Sequence, residues 1–176
     1  LIEGDFLRMD LDNIFSDQYA IMGNFPYNIS NQILFKLFEK KEKVTQLVGM
    51  FQKEVAERVV ASNGSKTYGI LSVLLSAFYD REYLFTVNED VFAPPPKVKS
   101  AVIRLIRNDV KQLDCDESLF VRIVKTAFNQ RRKMLRSALK PLGFSLEKIE
   151  DSLLTLRAEQ LTTEQFIHIT KLLSND

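Results

Sequence analysis

The run Tyr19-Ala20-Ile21-Met22-Gly23-Asn24-Phe25-Pro26-Tyr27-Asn28-Ile29-Ser30 carries an apolar segment into a proline turn. Its first five residues predict a short buried strand, which Pro26 stops by biasing Phe25 away from helical dihedrals. The result is a sharp turn at a strand's carboxyl end. In an open α/β sheet ligands bind at that end, because the loops leaving the strands line a crevice. Asn24 offers an amide oxygen there, and the carbonyls of Phe25 and Pro26 are expected to have no strand partner. Such acceptors suit the two hydrogens of one exocyclic amine. Tyr27 adds a flat face on which a splayed-out base can stack, a contact worth about 1–3 kcal/mol. Read alone, the four residues Asn24 to Tyr27 fit a strand-ending turn with a core tyrosine equally well.

Outward from this turn, the chain is long and apolar enough for one domain or one and a small second, with 176 residues of which 45% are hydrophobic. No run approaches the roughly 20 apolar residues of a membrane span and no signal-peptide pattern opens the chain, so the expectation is a soluble, cytoplasmic protein without membrane partners. The single cysteine, Cys115, and single histidine, His168, argue against an internal disulfide, a histidine triad and a metal site. Net charge is only +1, but it is polarised. Residues 121–140 hold seven cations (Arg122, Lys125, Arg131, Arg132, Lys133, Arg136 and Lys140) and no acid, whereas the first eighteen residues hold five acids and one arginine. Such a distribution steers a polyanion to one face.

Ser30 is placed to cap a helix with Ile33, Leu34, Leu37 and Phe38 on its apolar side. Gln46 to Gln52 reads as a buried strand and Lys53 to Ala61 as a helix broken at Asn63-Gly64, with Glu54 and Arg58 spaced for a surface pair. Tyr68 to Phe78 predicts a helix, Glu82 to Val87 a strand, and Ser100 to Ile106 a last strand. Between those two strands, Pro94-Pro95-Pro96 excludes a central strand and stiffens the loop that carries Phe92. From Asp116 the pattern is helical. One straight helix to Lys140 would gather six of the seven cations in a stripe and put Arg131 at the middle of the apolar side. A buried unpaired arginine is too costly, so either the helix breaks near Asn129-Gln130, the favoured reading, or Arg131 has an acidic partner. Thr162-Thr163-Glu164-Gln165 has capping-box spacing, with Leu161, Phe166, Ile169 and Leu173 packing behind it.

Five blocks in order, Asn24 to Ser30, Phe51 to Arg58, Tyr68 to Val73, Phe92 to Val98 and Phe128 to Lys133, resemble the KsgA-type ribosomal RNA adenine dimethyltransferases, relatives of the Erm methylases. The resemblance implies an α/β fold, a partial class I Rossmann-like methyltransferase domain over residues 1–110, followed by a small all-α RNA-docking domain over 111–176. It implies an S-adenosyl-L-methionine cofactor and methylation of two adjacent adenosines near the 3′ end of small-subunit rRNA during ribosome biogenesis, on the RNA or on the assembling small subunit. By the same resemblance Asn24 and Pro26 hold the amine, Tyr27 and Phe92 sandwich the base, Asp5, Phe6 and Asn24 contact the cofactor, and the seven cations contact RNA. A non-catalytic rRNA-binding assembly factor and an adenine methylase acting on another nucleic acid are the alternatives. The family's Gly-x-Gly-x-x-Gly loop is not in the sequence. With Leu1 in place of an initiator methionine, the expectation is a chain without its natural amino terminus. It would hold part of the cofactor site, be inactive alone, and expose a sheet edge open to self-association.

Overall fold

Alternating burial in Val44–Gln52 makes this segment the centre of a four-stranded sheet. Over its regular part Leu47, Gly49 and Phe51 are buried on one face, while Val48, Met50 and Gln52 on the other are half-buried. The computed structural model describes residues 1–174. They fall into two compact units, one of Leu1–Val60 with Phe78–Asp109, the other of Ala61–Ala77 with the chain from Val110 onward. The segment 61–77 thus belongs with the carboxyl-terminal helices, although it lies within the span 1–110 read from the sequence as one domain.

In the first unit β1 (Tyr19–Asn24) leads through a tight 3-10 turn (Tyr27–Ile29) into α1 (Ser30–Glu39), then β2 (Val44–Gln52) and α2 (Lys53–Val60). The chain re-enters the unit at β3 (Tyr79–Val87) and closes with β4 (Ser100–Arg107). The order is β1-β2-β4-β3, with β1 parallel to β2 and β4 antiparallel to both its neighbours. β1 and β3 are therefore the edges, and Met22 on β1 is 82% exposed. Ile33, Leu34, Leu37 and Phe38 are buried as the helical spacing predicts. Ser30 does not cap α1. It is the first helical residue, and its hydroxyl turns back to the Pro26 carbonyl at 3.3 Å, because the 3-10 turn already supplies the entry to the helix. Lys41 is buried with its ammonium 5.1 Å from the Phe38 ring centre and 4.9 Å from that of Phe78, where ring quadrupoles compensate part of its lost hydration.

The second unit begins at Ala61, just past α2, and Gly64, with a φ of +87°, supplies the left-handed residue of the turn that follows. It contains α3 (Ile70–Ser76), α4 (Glu117–Asn129), the single turns α5 (Leu135–Ala138) and α6 (Asp151–Leu154), and α7 (Thr163–Leu173). Phe120, Ile123, Val124 and Ala127 of α4 are fully buried, as are Phe166 and Ile169 of α7, and the Phe128 ring lies 5.9 Å from Tyr68 and 6.0 Å from Phe166. The predicted capping box is formed, with the Thr162 N–H donating to Gln165 Oε1 at 2.8 Å and the Gln165 N–H to Thr162 Oγ1 at 3.2 Å. Burial pushes the Cys115 thiol up to about 11, helped by the neighbouring Asp116, Asp114 and Glu117, so it is an unreactive thiol at neutral pH. No helix among the described residues is long and apolar enough to cross a membrane.

Candidate functional site

Strand directions gather the site at one end of the first unit's sheet. Because β1, β2 and β3 run the same way and β4 runs against them, the carboxyl ends of the first three meet the start of the fourth. Asn24 is opposite Met50, while Gln52 and Val87 are both opposite Ser100. The Asn24–Tyr27 turn and the loop carrying Phe92 both leave from this end, although 67 residues separate Asn24 from Phe92 in the sequence.

Phe25 seats the turn. Its ring stacks on Phe51 with centroids 5.1 Å apart and lies across the paired glycines Gly23 and Gly49. A Cβ on Gly49 would come within 2.6 Å of Phe25 and 2.7 Å of Phe51, so only a residue without a side chain leaves room for the ring. The Phe25 N–H donates to the Met50 carbonyl at 3.3 Å. With Phe25 turned in, Asn24 is left exposed, and its side-chain amide makes no hydrogen bond among the described residues. The Pro26 carbonyl is less free than expected: the Ile29 N–H and the Ser30 hydroxyl both reach it at 3.3 Å. Two donors already engage both lone pairs of this oxygen, though through long bonds that another donor can displace, whereas the Asn24 amide is unengaged.

Tyr27 is half-buried and its hydroxyl shares a short hydrogen bond with Oγ of Ser100, which is fully buried. The ring is thus tied to the start of β4, a contact across 73 residues that no local pattern announces. Phe92 is half-buried, with extended backbone, after a 3-10 turn at Glu89–Val91 and before the cis Ala93–Pro94 bond. The rings of Tyr27 and Phe92 do not touch one another. Where the end of β2 meets the start of β4, a cleft of about 320 Å³ is lined by Gln52, Lys53, Glu54, Glu57, Val98 and Lys99. Lys53 pairs with Glu57 at 2.8 Å, which raises its pKa, and Glu54 pairs with Arg58 at 2.8 Å as its spacing predicts.

Asp5 and Phe6 lie in a short loop of the same unit. The Leu7 N–H donates to Asp5 Oδ1 at 2.9 Å and Arg8 Nε stands 3.5 Å from Oδ2, yet the Asp5 side chain is 53% exposed and keeps lone pairs for another donor. Phe6 is half-buried, 6.4 Å from Phe25. An exposed carboxylate beside an aromatic face suits the amine and ring of an adenosyl group, so these residues fit part of a site for an adenosyl-bearing cofactor.

The basic segment is not one helical stripe. α4 ends at Asn129, and Arg131 finds an acid as well: its Nε lies 3.3 Å from Glu159, and its Nη2 donates to the carbonyls of Ser65 at 3.4 Å and Lys66 at 2.8 Å. Both sequence alternatives for this arginine are therefore realised. Arg136 is paired with Asp151 at 2.6 Å, and the Arg122 guanidinium lies 5.6 Å from the Phe144 ring centre. The compensating acids come from later in the chain, where a local charge count does not look. Arg132, Lys133 and Lys140 are exposed, as are Arg122 and Lys125. The turn after α4, Asn129 to Lys133, borders a second cleft of about 320 Å³.

The family model for ribosomal RNA adenine dimethylase matches residues 1–175. The chain is 56% identical over 174 residues to the ribosomal RNA small subunit methyltransferase A of Cytophaga hutchinsonii, covering 99% of this chain and 67% of that protein. It is 58% identical over 172 residues to the protein of the same name from Bacteroides thetaiotaomicron, covering 97% and 64%. The chain thus spans about two thirds of the length of these relatives. A crystal structure of a dimethyladenosine transferase from Plasmodium falciparum superposes with a TM-score of 0.80 at 25% identity, over 96% of this chain and 70% of that one. The 23S rRNA methyltransferase ErmE superposes at 0.72 and 20% identity, over 98% and 70%, a likeness of fold. The chain belongs to the ribosomal RNA adenine dimethylase family.

Proposed function

We propose that the natural full-length protein is an S-adenosyl-L-methionine-dependent rRNA adenine N6,N6-dimethyltransferase acting on two adjacent adenosines near the 3′ end of small-subunit rRNA. The observation that carries the reading is the exposed, unengaged amide of Asn24 at the sheet end from which Tyr27 and the Phe92 loop also leave. S-adenosyl-L-methionine, when bound, supplies an electrophilic methyl on a sulfonium. Everything else falls to the protein. An adenine amine is a poor nucleophile because its lone pair is delocalised into the ring. Asn24 Oδ1 and the Pro26 carbonyl accept its two hydrogens from off the ring plane, which favours a pyramidal nitrogen and localises that pair. The N–C bond would form as the methyl leaves the sulfonium sulfur, and no general base is needed for the attack, since the methylated nitrogen is cationic only afterwards and then sheds its proton to water.

Tyr27 and Phe92 hold the base between them, which accounts for two half-buried rings at one end of the sheet that do not pack on each other. Asp5 accepts from the adenine amine of the donor and Phe6 lies against its ring. Exposed Arg122, Lys125, Arg132, Lys133 and Lys140 contact RNA phosphates, and Arg131 and Arg136, engaged by Glu159 and Asp151, shape the segment that presents them. Affinity then comes from the backbone of the RNA and the choice of base from the turn.

The test is transfer of labelled methyl groups by the full-length protein to small-subunit rRNA in the partly assembled subunit, to large-subunit rRNA and to duplex DNA. Nucleosides are identified after digestion. Dimethyladenosine from small-subunit rRNA alone is the expected result. Label in DNA, or only in large-subunit rRNA, would contradict the assignment.

A further inference from the structure

The loop that carries Asp5 and Phe6 is closed by one ammonium group. Lys36 Nζ, on α1, donates to the carbonyls of Phe6 at 2.6 Å, Leu7 at 3.2 Å and Met9 at 2.6 Å, and lies 5.1 Å from the Phe6 ring centre. An ammonium has three N–H donors and no acceptor, so these three oxygens saturate it. Without it, three carbonyl dipoles would converge on one half-buried point with nothing to receive them. The loop's own bonds share the arrangement: the Arg8 and Met9 N–H groups donate to the Asp5 carbonyl at 3.0 and 2.9 Å, and Leu7 N–H to the Asp5 side chain. The direction of the Asp5 carboxylate and of the Phe6 ring is therefore set by the same few peptides that Lys36 holds. Phe6 in turn faces Phe25, the seat of the Asn24–Tyr27 turn.

One helical turn further on, Lys40 provides a contrast. It is also half-buried, but its ammonium meets the carboxylate of Asp12 at 2.5 Å, an ordinary ion pair that holds no residue of the Asp5–Met9 loop. The two lysines, one on α1 and one just past its carboxyl end, thus do different things, Lys40 joining charges and Lys36 organising backbone.

We infer that Lys36 is a positioning residue of the methyl-donor site: by gathering the carbonyls of residues 6, 7 and 9 it fixes Asp5 and Phe6 in the arrangement that receives the adenosyl end of the donor. This rests on the proposed function above. Lys36 touches neither donor nor base and acts through the loop backbone. Removing its charge frees the loop, so the donor must order it on binding and its affinity falls.

The experiment is calorimetric titration of the full-length protein with S-adenosylhomocysteine, for the wild type, Lys36→Met, Lys36→Arg and Lys40→Met. It is paired with rRNA affinity, Tm and amide hydrogen exchange of residues 6–9. Lys36→Met is expected to weaken donor binding about tenfold or more and to speed exchange at Leu7, Arg8 and Met9. Lys36→Arg should restore most of the affinity, while Lys40→Met and all rRNA affinities stay within about threefold of wild type. Unchanged donor binding in Lys36→Met would overturn the inference. So would donor and rRNA affinities falling together with Tm, which marks a general structural role. Should Lys36→Met not fold, Lys36→Gln is read against the same outcomes. A wild-type protein that binds no donor would instead overturn the proposed function, and the role of Lys36 with it.

Discussion

Asn24→Ala in the full-length protein is expected to lower the rate of methyl transfer by about a hundredfold or more while rRNA affinity changes by only a few-fold. The magnitude follows from removing one preorganised polar group from the point where the reacting atom changes charge and geometry, which typically costs about 100- to 1000-fold. Asn24 is exposed and bonded to nothing else among the described residues, so its loss leaves no buried group unpaired and should leave stability nearly unchanged. RNA affinity rests on the cations of the second unit and on stacking, neither of which the substitution touches. Single-turnover transfer and equilibrium RNA binding separate the two. Equal loss of rate and of RNA affinity would remove Asn24 from its role as amine acceptor.

The second large effect is expected at Gly49. Strand propensity alone would favour valine there, since Gly49 lies within β2, so a naive expectation is stabilisation. The geometry says otherwise. The new Cβ would meet Phe25 and Phe51, and Phe51 is fully buried and has nowhere to go. Phe25, half-exposed, is the ring that yields, and it belongs to the turn holding Asn24. Gly49→Val should therefore lower stability by about 1–3 kcal/mol, the usual cost of overpacking, and lower the transfer rate by more than that stability loss explains. Urea unfolding of this chain, with the exposed Met22→Val as a control on the neighbouring strand, reads the first part. An unchanged or higher midpoint for Gly49→Val would show that the Phe25 seat has slack.

What could be read from the sequence was what depends on neighbours in the chain. The apolar face of α1, the Glu54–Arg58 pair and the Thr162 capping box all involve residues at most a few positions apart, and each forms as predicted. The strand ended by Pro26 forms too, but as a sheet edge with Ala20 and Met22 exposed and not as the buried strand its apolar run implied, because burial depends on a neighbouring strand that the local pattern does not name. Contacts set by folding were not legible. Lys36 looks like one more surface lysine on an amphipathic helix, because the carbonyls it binds lie 27 to 30 residues earlier. Ser100 gave no sign that it holds Tyr27, and the paired glycines Gly23 and Gly49 were not recognised as a seat for Phe25, since neither signal exists until β1 is laid beside β2. Ser30 has the type and position of a cap residue, but the 3-10 turn before it shifts the helix start onto it. The basic segment looked uncompensated for a similar reason: Asp151 and Glu159 are remote in sequence and near in space.

The central claim is that Tyr27 and Phe92 grip the same base beside Asn24. A double-mutant cycle on kcat/KM in the full-length protein, with Tyr27→Ala, Phe92→Ala and the pair, tests it most directly. Each single substitution should cost roughly five- to a hundredfold, the range for one lost base–aromatic stack. The double variant should fall short of the product of the two, because a base released on one side gains little from the ring on the other. Effects that multiply independently, or a Phe92→Ala variant as active as the wild type, would contradict the account.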